Sequence, residues 1–233
     1  MTRLWSFLLF LALPQAVLAQ SQDAAFGERV RAYILANPEV ILEAPEVLSE
    51  RERVAAMQAR VAAFPELFTD APRLGIGSPG ADITVVEFFD YKCAPCKAVH
   101  PRLVDFVAQN PEVRIEMRQL PILSPGSERA ARFAMAVHEV HGDAAYAQVH
   151  DRLWQQRGAL NTPVFERIAD ALGLDFAKIA PKMEAEAIDA RITYNRDLAI
   201  ALEILGTPAF VTPTSVIFGT TDIDLLAADW LSQ

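Results

Sequence analysis

Three features of this 233-residue chain predict an α/β fold interrupted by a block of helices and preceded by a helical segment. A β-branched and aromatic run, Ile83-Thr84-Val85-Val86-Glu87-Phe88-Phe89, leads into Cys93-Ala94-Pro95-Cys96 and then into helical spacing, as a strand feeding a helix would. Strand-type sequence recurs around Val113 to Arg118, and again at Ala209 to Thr212 and Ser215 to Phe218. Between these, from about residue 126 to 205, apolar residues fall at helical spacing only.

Taken in chain order, Met1-Thr2-Arg3, the apolar stretch Leu4 to Leu18 and the small-residue pattern Val17-Leu18-Ala19 read as a signal peptide, residues 1–19, cleaved after Ala19. A membrane anchor fits less well, because the stretch is short for a bilayer span and contains Pro14. Export predicts a periplasmic protein, in a compartment where disulfides persist. About 210 residues then remain, enough for a sizeable core without disulfide staples.

Residues 20–66 carry helical pattern and no strand signal. Asn37-Pro38-Glu39 and Ala44-Pro45-Glu46 place prolines that can start helices or mark kinks. Val40, Val47, Val54 and Val61 repeat every seven residues, with Met57 and Phe64 at complementary positions, while Glu43, Glu50 and Pro45 interrupt the stripe. The segment is either an oligomerisation helix or an amphipathic helix packed on its own domain. The turn-rich Gly75-Ile76-Gly77-Ser78-Pro79-Gly80 opens a second domain, taken as residues 67–233. Its strand from Ile83 to Phe89, helix from Cys93 to about Gln109 and strand from Val113 to Arg118 form a βαβ unit. Helices follow at Ala130 to His138, Ala144 to Trp154, Thr162 to Leu172 and Ala185 to Leu205, then two strands and a last helix from about Asp222 to Leu231.

Loss of Arg3 with the leader takes the formal charge from −9 to −10, which argues against nucleic acid as a partner. Only four lysines occur, and Lys92 and Lys97 flank the cysteine motif, where positive charge favours a thiolate.

Both cysteines of the chain lie in that motif. A zinc site would need further ligands, and no third cysteine exists. His138, His141 and His150 read as helix-surface residues, so no metal site is predicted, although two thiolates can hold Cu(I). A structural disulfide is the other rival reading. Thiol–disulfide chemistry fits better, with Cys93 as nucleophile at a helix N-terminus and Cys96 as resolving thiol one turn inside. Ala94 contributes neither charge nor hydrogen bond, and Pro95 suits a first helical turn. No cofactor beyond a Cys93–Cys96 disulfide is implied. Glu87 shares a strand face with Ile83, Val85 and Phe89, so burial should raise its pKa towards the range useful for taking the Cys96 proton. Its rival role is a strand-end carboxylate in solvent. Asp90 reads as a turn residue and His100 as structural. Gly206-Thr207-Pro208-Ala209-Phe210 fits a cis Thr207–Pro208 bond before a strand, leaving the Thr207 backbone to pair with an extended substrate peptide.

The stretches Glu87 to Lys97, Leu120-Pro121-Ile122-Leu123-Ser124-Pro125 and Gly206 to Phe210 resemble the DsbA-like branch of thioredoxin-fold oxidoreductases over residues 75 to 220. The resemblance implies a thioredoxin fold with an inserted helical domain, a cis proline at Pro208 facing the cysteines and a buried acid at Glu87. The N-terminal extension looks most like the suppressor-of-copper-sensitivity protein C (ScsC-like) group, some of whose members trimerise through this segment and act as disulfide isomerases. It therefore implies client proteins with thiols or disulfides, a membrane redox partner and a homotrimer through residues 20–66. A monomeric dithiol oxidase and a copper-binding protein are the alternatives. The Ala94-Pro95 dipeptide departs from the strongly oxidising members, so redox poise does not carry over.

Overall fold

The computed structural model describes residues 15–69 and 74–232. Residues 1–14, most of the expected leader, lie outside them. The chain divides into two units between Arg53 and Val54, within one helix.

The first unit contains α1 (Gln15–Ala36) and the start of α2 (Val40–Ala62). Both the backbone N–H and the side-chain amide of Asn37 donate to the Tyr33 carbonyl and close α1, and Pro38 precedes α2. Pro45 lies inside α2, so of the two roles open to it, starting a helix is not the one it plays. A proline removes one N–H donor, and the remaining bonds of a 23-residue helix tolerate that single loss. Phe26, Tyr33, Leu35, Ile41, Leu42, Val47 and Leu48 are exposed along this unit.

The second unit is built on five strands in the order β1-β3-β2-β4-β5. β2 (Ile83–Phe89) and β3 (Val113–Gln119) run parallel, joined by α4 (Ala94–Gln109). β4 (Ala209–Val211) pairs antiparallel with β2, and β5 (Val216–Phe218) with β4. The two-residue β1 (Gly75–Ile76) pairs antiparallel with β3, where a turn was expected. Between β3 and β4 run α5 (Pro125–His141), α6 (Asp143–Gln155), α7 (Thr162–Ala171), α8 (Phe176–Lys182) and α9 (Glu186–Ala201). The short α3 (Glu66–Thr69) follows α2, and α10 (Ile223–Trp230) ends the fold. This is the α/β architecture with a helical insertion that the sequence predicts. Three of the insertion's five helices start at side-chain caps: Ser124, Asn161 and Asp175 side chains accept from Ser127, Val164 and Ala177 N–H groups.

Strand alternation separates two cores. Val85 and Phe89 on one face of β2 pack with α4 residues such as Val99 and Leu103 and with the insertion, including Phe133 and Phe165. Val86 and Phe88 on the other face pack with Val61, Leu67, Leu198 and Val211. Met57 and Phe64 lean on this second core, so of the two readings of the heptad stripe its C-terminal half packs on its own domain. The compact unit begins at Val54, and the end of α2 supplies part of its core. Leu67→Ala should cost about 2–5 kcal/mol of unfolding free energy, read by chemical denaturation, since Leu67 is fully buried in the second core.

Candidate active site

The end of β2 and the start of α4 bring the cysteines into position. Cys93 is the N-cap of α4 in an extended conformation, φ −71° and ψ 116°, and its sulfur accepts from the Cys96 N–H at 3.4 Å. Pro95 lies in the first turn, where its missing N–H has no intrahelical partner to lose. Both residues are free thiols. Cys93 retains 4% of its surface and Cys96 none, so only the first can be reached from solvent.

These contacts separate the two thiols. A hydrogen bond from Cys96 is the largest influence on Cys93 and, with Thr207 and the Cys96 N–H, draws its pKa down to about 6 against burial and the Asp90 carboxylate. The same pair bond, burial and the nearby Glu87 push Cys96 far above the ordinary thiol range. The proton of the pair therefore stays on Cys96 while Cys93 is a thiolate at neutral pH. Lys92 and Lys97 supply less than their position suggests. Their ammonium groups bond the carbonyls of Gly158, at 2.7 Å, and of Gln156, not the sulfur.

Glu87 is fully buried, and neither carboxyl oxygen has a hydrogen-bond partner. Burial first, and the charge of Cys93 second, raise its pKa to about 8. A solvated strand-end carboxylate is thereby ruled out. Across the sheet Glu87 pairs with Met117 on β3 and Phe210 on β4.

The Thr207–Pro208 bond is cis, directly before β4. The Cys93 sulfur lies 3.2 Å from the Thr207 carbonyl oxygen, which accepts from the thiol when Cys93 is protonated and is left without that donor when Cys93 ionises. The Pro208 carbonyl accepts from the Gly219 N–H. Cys93, Cys96, Glu87, Thr207 and Pro208 are thus brought to one place from β2, α4 and the turn before β4.

His150 departs from the expected surface position: it is buried. Trp154 Nε1 donates to His150 Nε2 at 2.8 Å, so Nε2 is unprotonated, and Nδ1 carries the hydrogen bonded to Tyr91 Oη at 2.7 Å. Burial, with the neighbouring His100, holds its pKa well below normal, so the ring is neutral. Phe89, Tyr91, His100, Tyr146 and Trp154 surround it with ring centroids 5.0–5.5 Å apart. The i, i+4 spacing of His150 and Trp154 was the available signal, but only the fold turns that face inward. His138 instead bonds Asp143 at 2.8 Å, and no cluster of three metal-ligating side chains occurs among the described residues.

With this geometry in place, similarity to known proteins is informative. A family model for the DSBA-like thioredoxin domain matches residues 84–230. The chain belongs to the DSBA-like thioredoxin family. A second model, the copper resistance protein ScsC N-terminal domain, matches residues 22–55 and places the extension with the ScsC group. The thiol:disulfide interchange protein DsbA of Bordetella pertussis is 26% identical over 60% of this chain and 66% of its own length. Two Salinispora Na(+)/H(+) antiporters NhaA are 28% identical, but the chain spans about a quarter of their length, 24% and 23%. Among solved structures, a thioredoxin-like oxidoreductase from Silicibacter pomeroyi is 34% identical with a TM-score of 0.65, over 72% of this chain and 94% of that one. The catalytic domain of Proteus mirabilis ScsC is 26% identical with a TM-score of 0.68, over 76% and 99%. None of the described helices is long and apolar enough to cross a membrane.

Two measurements test the electrostatics of this DSBA-like site. Ultraviolet titration of the reduced protein should place the Cys93 thiolate midpoint near 6, and Cys96→Ala should move it towards the ordinary thiol value of about 8.5, because the largest stabilising bond is gone. A depressed folded pKa stabilises the reduced protein progressively as pH rises through that window. Glu87 has the opposite sign. Its folded pKa is raised, so the native state binds the extra proton and loses stability as pH climbs from 4.5 to about 8. Glu87→Gln should therefore match its parent near pH 4 and exceed it by on the order of 3 kcal/mol at pH 7, measured by denaturant unfolding across pH.

Proposed function

We propose that this chain is a periplasmic protein thiol–disulfide oxidoreductase that works as a disulfide isomerase. The observation that carries the exchange chemistry is the Cys93 sulfur at the α4 N-cap, a thiolate at neutral pH beside a buried, protonated Cys96. The Cys93 thiolate attacks one sulfur of a client disulfide, forming a mixed disulfide and releasing the client's other sulfur as thiolate. That thiolate can attack another disulfide of the client, and the thiolate this releases attacks the client sulfur of the mixed disulfide, so that Cys93 leaves as thiolate and disulfides are rearranged without net oxidation. Alternatively Cys96 attacks Cys93 Sγ, forming the Cys93–Cys96 disulfide and releasing a reduced client, and a membrane redox partner resets the pair. No cofactor is required besides this pair.

Glu87 manages the Cys96 proton in this scheme. While Cys93 is a thiolate its charge helps to keep Glu87 protonated. In the mixed disulfide that charge is absent, so Glu87 releases its proton more readily and its carboxylate takes the proton that Cys96 must lose. The Thr207 backbone, exchanged from Cys93 to an extended client segment, holds the client beside the sulfur.

Two observations support the isomerase direction: the match of residues 22–55 to the ScsC N-terminal domain, and the exposed apolar side chains from Phe26 to Leu48. Trimerisation through that segment would gather several sites around one client. The lowered pKa of Cys93 favours the second reading, a dithiol oxidase, because stabilising the reduced form makes the disulfide more oxidising. Copper binding by two thiolates is disfavoured by the environment that keeps Cys96 protonated. Light scattering of the chain without residues 1–19 should give an oligomer, and a fragment starting at Val54 should be monomeric. The fragment should still oxidise a reduced peptide but lose most reactivation of a scrambled disulfide protein. A monomeric parent, or equal isomerase activity of the two, removes the isomerase reading.

A further inference from the structure

Asp90 sits between the cysteine motif and the segment joining β3 to α5. It is 2% exposed, and its carboxylate accepts three backbone hydrogen bonds: from Lys92 N–H at 2.7 Å through Oδ1, and from Ile122 and Leu123 N–H groups at 3.0 Å each through Oδ2. The Asp90 carbonyl in turn accepts from the Cys93 N–H at 2.9 Å. A buried carboxylate with this many donors is well compensated, and it fixes what it bonds. A turn between a strand and a helix needs no such reach across the fold. Ile122 and Leu123 are chained to the backbone that presents the nucleophile, while their side chains are 44% and 54% exposed. They lie in a segment of only five residues between the last residue of β3 and the first of α5.

We propose that Asp90 is a positioning residue for exchange with polypeptides: it holds the exposed Ile122–Leu123 pair at a fixed place beside Cys93, as an apolar edge for residues flanking the client cysteine. The assignment rests on the exchange reading above. The occupant is a client polypeptide because any partner whose sulfur reaches Cys93 must bring its neighbouring residues over the surface around it. Oxidised glutathione brings no apolar ones. Asp90 also has a second, separable effect. Its negative charge opposes the Cys93 thiolate, so it tempers the nucleophile that it helps to place.

Two variants separate the contributions. Asp90→Asn can keep one oxygen on the Ile122 and Leu123 N–H groups while removing the charge, whereas Asp90→Ala removes both. Exchange rates are measured on the full chain with a disulfide-bonded peptide carrying apolar residues beside its cysteine, and with oxidised glutathione. Asp90→Ala should lower kcat/KM for the peptide about ten-fold, mainly through KM, and leave the glutathione rate within about two-fold. Asp90→Asn should keep the peptide preference and lower the Cys93 titration midpoint. If Asp90→Ala leaves the peptide rate unchanged, or slows both substrates equally, Asp90 is structural only and the proposal falls. Should Asp90→Ala fail to fold, Asp90→Ser supplies the same comparison, and Asp90→Asn must still shift the midpoint. An unmodified chain that exchanges with neither substrate would overturn the oxidoreductase reading itself, a result distinct from the failure of Asp90.

Discussion

The site depends on one hydrogen bond that an ordinary helix gives to an ordinary cap. The first N–H groups of a helix lack intrahelical partners, and Ser, Thr, Asp or Asn usually satisfies one of them. Here a cysteine takes that place, with its Sγ 3.4 Å from the Cys96 N–H. The same bond that starts α4 therefore also stabilises negative charge on the nucleophile, beside the larger effect of the Cys96 thiol, so helix formation and thiol activation are linked. Several parts of the second unit hold this terminus. β2 delivers it, Thr207 meets the sulfur from the far side, and the carbonyls of 156 and 158 grip the two lysines that follow and precede the motif.

Burial of Glu87 is the counterpart of that activation. A carboxyl group with no hydrogen-bond partner on the core face of a central strand opposes folding whenever it ionises. Its neighbours on the strand, Val85 and Phe89, offer nothing polar. The fold accepts the cost because the two parallel partners, β2 and β3, and the antiparallel β4 fix that position by register alone: Glu87 opposite Met117 and Phe210. A residue that weakens the core and acts on Cys96 by charge supports the proton-handling role proposed for it.

Much of this was legible because period and chemistry agreed locally. β2 was read from Ile83 to Phe89 and is found there, since a fully buried β-branched and aromatic run has few alternatives. Cys93, Cys96, Glu87, Thr207 and Pro208 could be picked from motif and strand alternation alone, although only the fold shows them meeting. Three things were hidden for physical reasons. β1 has two residues and no periodicity to detect; it exists because β3 has a free edge. α8 is seven residues long with a proline inside, too short for its apolar spacing to stand out. The role of His150 needed tertiary information, because a helix pattern says which residues share a face but not which face is turned to Phe89 and Tyr91.

The charges near Cys93 also correct a simple electrostatic expectation. Two lysines beside a cysteine suggest that cations stabilise the thiolate, yet those cations are spent on carbonyls, and the groups acting on the two sulfurs by charge are acidic: Asp90 on Cys93 and Glu87 on Cys96. The thiolate is favoured chiefly by the hydrogen bonds from Cys96 against that field. Hydrogen bonds act over tenths of an ångström and are hardly screened by salt, whereas charge pairs at a surface are screened within about 10 Å. Reactivity set this way is sensitive to the placement of Cys96 and Thr207 and insensitive to ionic strength. It follows that the dipeptide Ala94-Pro95, which adds no charge and no donor side chain, acts on redox poise through the geometry of the first turn that it shapes, and the segments clamped to that turn act by the same route.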